Sequence, residues 1–250
     1  MSYFNFQGKK VHYVVAGTGS PLMLLHGNTT SSRLFNSDIA FFSQYFKVIA
    51  LDYPGHGFSD RLEVFPKDFW RYNAQCAIQL CHLLAIEQIN LIGTSGGALV
   101  ALNMAVLANE LAPMIIADSF FGNRLSAEEA EKIVKGRKKA KRDFMMMQYW
   151  KQFNGEYWDK MVDLDCDTLL AIGREKLPLI WGDLSKIKSE VLLVGTSSDE
   201  LIPDAHARMT ELAEIIPTSE LALYNYGRHT FMITEKEEFR RIALDFLSAY

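Results

Sequence analysis

Ser95 stands in the run Leu91-Ile92-Gly93-Thr94-Ser95-Gly96-Gly97-Ala98, a G-x-S-x-G pattern between an apolar run and a helical pattern. A sharp strand-to-helix turn at this place holds its central residue in a strained backbone conformation, and small neighbours let the turn close. The hydroxyl is then presented at the carboxyl end of a sheet, beside the free N–H groups and positive dipole end of the next helix. A serine hydroxyl is a weak nucleophile until a base takes its proton. The chain offers an acid and a histidine further on, in the order that such turns use. Asp199 follows the apolar run at 191–195, and His229 follows the run at 221–226. Both lie just past strand ends, where α/β proteins gather functional groups. In this reading Ser95 attacks, His229 carries the proton, and Asp199 fixes the imidazole tautomer and stabilises its charged form. Glu200 and Asp204 compete with Asp199 by proximity, and Asp118, after the run at 114–117, is a second candidate acid.

An attacked carbonyl develops an oxyanion that needs preorganised donors. The backbone N–H of Gly96, directly after the nucleophile, is one. The loop after the run at 22–25, His26-Gly27-Asn28-Thr29-Thr30, supplies the other from the backbone of Asn28. His26 is read as structural, holding that loop.

These groups need a scaffold that brings distant strand ends together. Short apolar runs at 11–15, 22–25, 47–51, 89–93, 114–118, 191–195 and 221–226 read as strands. The central ones are continuously apolar, as strands covered on both faces should be. Helical spacing recurs at 69–84, 98–107 and 237–246. Alternation of this kind predicts an α/β fold with a mostly parallel central sheet and helices on both faces. Between 121 and 186 only helical patterns appear, opened by a capping box, Ser126-Ala127-Glu128-Glu129. That span reads as a helical cap (121–186) inserted between two parts of one core (1–120 and 187–250). Its basic run at 135–142 reads as a solvated helix face. Ten large apolar side chains crowd the cap, and Met146, Trp150, Trp158 and Trp181 are the expected pocket residues.

Composition narrows the function. The chain has 250 residues, 49% of them hydrophobic and 22% charged, enough for a large core. A net charge of −4 argues against nucleic-acid binding, which favours a basic surface. The N-terminal residues are too polar for a signal peptide, and no apolar run approaches a membrane span. The expected setting is therefore cytoplasmic, with no membrane partner. Cys76, Cys81 and Cys166 match neither a zinc site nor a redox pair, so they read as idle buried thiols. The chemistry calls for neither a metal nor an organic cofactor, and the expected partner is a small-molecule substrate. Oligomeric state is not legible.

Four marks together resemble the α/β-hydrolase superfamily over essentially the whole chain. They are His26-Gly27-Asn28, Asp52-Tyr53-Pro54-Gly55-His56-Gly57-Phe58-Ser59, the turn around Ser95, and Asp199 to Pro203 with His229. The resemblance implies that fold and a serine nucleophile. It does not extend to the aspartate-nucleophile dehalogenases and epoxide hydrolases, since Ser95 holds that place. Phe65-Pro66-Lys67-Asp68-Phe69 and the cap stretch at 153–158 resemble, more narrowly, the valacyclovir hydrolases (biphenyl hydrolase-like proteins). Those enzymes carry an acidic residue directly after the nucleophile to hold a substrate ammonium; here Gly96 stands there. The expected reaction is cleavage of a small to medium, uncharged or weakly charged carboxylic ester through an acyl-enzyme. Carbon–carbon, thioester or lactone hydrolysis on the same three residues is the alternative. A non-catalytic ligand-binding protein on this scaffold is another.

Overall fold

The computed structural model describes residues 2–248. Its strands are β1 (Ser2–Phe6), β2 (Lys9–Ala16), β3 (Pro21–Leu25), β4 (Lys47–Leu51), β5 (Asn90–Thr94), β6 (Met114–Asp118), β7 (Glu190–Thr196) and β8 (Ser219–Tyr224). They form one sheet in the order β1-β2-β4-β3-β5-β6-β7-β8. β1 and β2 form an antiparallel hairpin and β2 pairs antiparallel with β4, whereas every pairing from β4 to β8 is parallel. The helices are α1 (Asn36–Phe42), α2 (Phe69–Leu83), α3 (Gly96–Leu107), α4 (Ala127–Ala140), α5 (Phe144–Asn154), α6 (Trp158–Glu175), α7 (Ala205–Ile215), α8 (Phe231–Thr234) and α9 (Lys236–Leu247). The strands read from sequence are all present. β1 is an addition, paired with β2 across Gln7 and Gly8, both at positive φ.

Side-chain alternation along the parallel strands sorts the core into two layers. Met23, Leu25, Ile49, Leu91, Ile115 and Leu193 face one side, where α2, α3 and α7 pack. Leu22, Leu24, Val48, Ile92, Ile116 and Val194 face the other, with Phe42 of α1 and Phe239 and Ala243 of α9. Each strand has to be apolar on both faces, which is why these runs lack polar positions. α3 is buried around most of its circumference, and its sequence GGALVALNMAVL has almost no polar face to offer.

Between β6 and β7 lie α4, α5 and α6, with 3-10 turns at Gly155–Tyr157 and Leu184–Lys186 and no strand. The capping box forms as expected, Ser126 Oγ accepting from the Glu129 amide and Glu129 Oε2 from the Ser126 amide. The basic run is only partly a solvated face. Lys138 and Lys139 are exposed. Arg137, by contrast, turns inward and ion-pairs with Asp165 of α6, and Lys141 pairs with Asp159 and Asp163. Arg208 of α7 clamps the start of the segment between β6 and β7. Its guanidinium donates to the carbonyls of Phe121 and Arg124 and pairs with Glu129 and Asp204. The three cysteines are buried and unpaired. No described helix is long and apolar enough to cross a membrane.

Candidate active site

The turn after β5 requires small residues for steric reasons. A Cβ on Gly97 would run into the carbonyl of Leu25, and one on Gly93 into the carbonyl of Gly97. Backbone therefore packs on backbone, and Ser95 between them is held at φ 55 and ψ −123, a sparsely populated region for an L-residue. The Ser95 amide is tied to the Asp118 carbonyl at 2.8 Å, which fixes the strained turn to the neighbouring strand end.

Three strand ends then converge. His229 Nε2 lies 3.0 Å from Ser95 Oγ, and His229 Nδ1 lies 2.8 Å from Asp199 Oδ2. The other oxygen of Asp199 accepts from the amides of Leu201 and Ile202, both at 2.9 Å. A carboxylate held by two backbone donors can only accept, so Nδ1 of His229 carries the proton and Nε2 is left to accept from Ser95. Glu200 meets His229 through the backbone amide rather than the ring, and Asp204 is engaged by Arg208. Asp118 takes a different place. It accepts from Thr94 Oγ1, Ser119 Oγ and the Met232 amide. Burial raises its carboxyl to about 6 against the lowering effect of those bonds and of nearby His229.

The loop after β3 closes over the helix start. Gly27 lies against Ser95: a Cβ there would stand 3.1 Å from Ser95 Cβ. Gly96 is the first residue of α3, where amides lack an intrahelical acceptor. A side chain at Gly96 would collide with the Asn28 carboxamide and Trp70 Nε1. The place where the biphenyl hydrolase-like proteins carry an acidic side chain is therefore filled by Asn28. That carboxamide is held at both ends, with Oδ1 accepting from Trp70 Nε1 at 3.1 Å and Nδ2 donating to Asp165 Oδ1 at 2.7 Å. The helices between β6 and β7 grip the rest of the loop. Thr29 accepts from Trp150 Nε1 and from Asn154 Nδ2, and Ser31 Oγ donates to the Phe153 carbonyl. His26 braces the loop from beneath, Nδ1 meeting the Gly27 carbonyl and Nε2 accepting from the Tyr53 amide. Burial lowers His26 to about 4, so the ring is neutral. His56 is packed on Phe65 away from Ser95, and burial lowers it to about 3.

A cavity of about 770 Å³ opens above Ser95 and His229. Of the four expected pocket residues, Met146 and Trp150 line it. Trp158 and Trp181 do not, and the expectation is corrected for both. Trp158 stacks behind Trp150, with ring centroids 5.7 Å apart and planes at 10°. Trp181 is held by its backbone to Asn103 and lies near the Arg71 guanidinium. Aromatic size alone did not say which way either ring pointed. Arg137, Ile133 and Phe121 line the cavity and were missed. A signal existed for Arg137, which falls four residues after Ile133 on the buried face of α4.

A profile described as the alpha/beta hydrolase fold matches residues 20–163. The (E)-2-((N-methylformamido)methylene)succinate hydrolase of Acinetobacter baylyi is 32% identical over 125 residues, 49% of this chain and 46% of that one. The chain thus spans about half the length of that relative. Serine hydrolase BPHL of Mus musculus is 28% identical over 258 residues, covering 96% of this chain and 84% of that one. The solved enol-lactonase from Burkholderia xenovorans LB400 superposes with a TM-score of 0.78 at 17% identity, over 99% of this chain and 100% of that one.

Proposed function

This chain belongs to the α/β hydrolase fold family, and from that premise we propose that it is a serine hydrolase cleaving a carboxylic ester through an acyl-enzyme. The observation that carries the reading is the unbroken chain of hydrogen-bonding groups from Asp199 through His229 to Ser95, at 2.8 and 3.0 Å. A pure binding site would have no use for a strained serine aligned with an oriented imidazole.

In the proposed cycle His229 Nε2 takes the proton from Ser95 as Oγ attacks the ester carbon. Asp199, held by two backbone amides, stabilises the imidazolium without accepting its proton. The amides of Gly96 and Asn28 would receive the oxyanion. Collapse expels the alcohol, which takes the proton from Nε2. Water then enters from the open cavity, loses a proton to His229, and releases the acid. The helices of 121–186 act as a cap over this cavity, and no cofactor enters any step.

The test pairs chromogenic esters with labelling by a fluorophosphonate. Wild-type protein is expected to release alcohol and to be labelled at Ser95. In Ser95→Ala, labelling vanishes and turnover falls by about four orders of magnitude or more. Retained turnover in that variant would end the serine reading.

A further inference from the structure

Ser95 lies where two unequal cavities meet. The larger, about 770 Å³, is lined by His229, Thr230 and Ile233. The smaller, about 40 Å³, touches Ser95 and Gly96 but not His229, and its wall includes Leu99, Phe120, Leu125, Leu169 and Leu179. Phe121, Ile133 and Arg137 line both and form the shared wall.

Proton transfer decides which part of a substrate enters which cavity. The leaving oxygen must receive its proton from His229 Nε2, so it has to lie within hydrogen-bond reach of that atom. His229 faces only the larger cavity. The acyl substituent, on the opposite side of the tetrahedral carbon, then points toward the smaller one. A water needs about 10–15 Å³ of such space, so 40 Å³ holds roughly three non-hydrogen atoms. The wall is mostly apolar, and its one charged side chain, Arg137, is already paired with Asp165, which disfavours a charged acyl tail.

We infer that the enzyme is selective for short, uncharged acyl groups, acetyl to butyryl, joined to a bulky leaving group. This rests on the serine-hydrolase reading and names the substrate class for it. The larger cavity accepts a ring-sized alcohol without penalty, whereas each methylene added beyond butyryl has no space.

The experiment measures kcat/KM for p-nitrophenyl acetate, propionate, butyrate, hexanoate and octanoate, and for phenyl and 2-naphthyl acetate. One surplus methylene in a fitted pocket changes kcat/KM by about 10–200-fold. The expected profile falls at least about tenfold between butyrate and hexanoate, while phenyl and naphthyl acetate stay within about fivefold of each other. Leu169→Ala, in the wall of the smaller cavity only, moves the optimum to hexanoate or beyond. Leu125→Phe, filling the same space from another element, restricts the enzyme to acetate. A wild-type profile that is flat or rises with acyl length overturns the inference, as does a Leu169→Ala enzyme that changes leaving-group preference instead. Those outcomes leave Ser95 labelling intact. Absence of both labelling and turnover across the series would instead overturn the serine-hydrolase reading on which the inference rests.

Discussion

Replacing Asp165 by leucine tests how the helices between β6 and β7 are joined to the loop after β3. Asp165 is almost fully buried, and its two oxygens serve two masters: Oδ2 pairs with Arg137, and Oδ1 accepts from the Asn28 carboxamide. The Arg137 side chain is 18% exposed and the Asp165 side chain 1%, so solvent screens the pair little. Removing one partner of a buried pair costs about 3–5 kcal/mol, because the other charge is left uncompensated. The open side of Arg137 toward the cavity puts this case at the low end, about 3 kcal/mol, and an unpaired Asn28 amide adds about 1 kcal/mol. Asp165→Leu should therefore lose about 4 kcal/mol, and Arg137→Met a similar ~3 kcal/mol. Removing both charges together leaves only the Asn28 amide unpaired, so the double variant should lose only about 1 kcal/mol relative to wild type.

Urea unfolding followed by tryptophan fluorescence gives the three free energies and their coupling. Turnover should behave differently from stability. Asn28 lacks its acceptor in Asp165→Leu and in the double variant alike, so ester hydrolysis stays depressed in both while stability recovers in the second. Single losses below about 1 kcal/mol that add in the double variant would refute the reasoning. They would mean that cavity water, rather than Asp165, compensates Arg137.

Acid should destabilise the protein, and the sign follows from three buried groups. Burial lowers His26 to about 4 and His56 to about 3. The unfolded imidazoles protonate near pH 6.5, so the unfolded chain binds more protons below that pH, and stability drops on acidification by up to ~2.7 kcal/mol per pH unit. Asp118, raised to about 6 by burial, opposes this, since between about pH 4 and 6 the folded state is the one that takes its proton. Asp118→Asn should steepen the loss in that window by up to ~1.4 kcal/mol per unit, measured by urea unfolding at several pH values; an unchanged slope counts against the assignment. Gly97→Ala places a methyl group against the carbonyls of Leu25 and His26. It should cost at least ~2 kcal/mol in thermal or urea unfolding and abolish fluorophosphonate labelling by displacing Ser95. Arg208→Ala frees the carbonyls of Phe121 and Arg124 and the carboxylates of Glu129 and Asp204. Amide exchange should accelerate selectively across 121–130, and uniform acceleration over the whole chain would show that the clamp is not local.

The parts of the site that were legible are those set by local sterics. Gly93 and Gly97 stand where backbone meets backbone, so no other residue type fits, and the turn announces itself. Asp199 and His229 come to one place because parallel strands deliver their carboxyl ends to one edge, which makes position along the chain a proxy for position in space. The hairpin of β1 and β2 was missed although its signal was present. Gln7-Gly8 is a two-residue connection with both φ positive, and Asn5 accepts from the Gly8 amide. Residues 2–6 alternate as a strand paired through such a connection would.

What was not legible depends on contacts more than a hundred residues apart. Thr29 and Ser31 look like ordinary loop residues, and the side chain of Asn28 has no evident task, until Trp150, Asn154, Phe153 and Asp165 are folded onto them. Periodicity still held a clue. The half-buried Arg137 falls in line with the buried Ala130, Ile133 and Val134 on α4, and the buried Asp165 with Met161, Leu169 and Ile172 on α6. A charge placed inside an apolar stripe must find its opposite or neutralise, because burying it alone costs more than the stripe gains. Two helices of one insertion, each with a single charge of opposite sign on its buried stripe, therefore predict a pair. Reading charges by the face they occupy, rather than by the run of like charges around them, would have placed Arg137 inside the molecule and brought it within reach of the site.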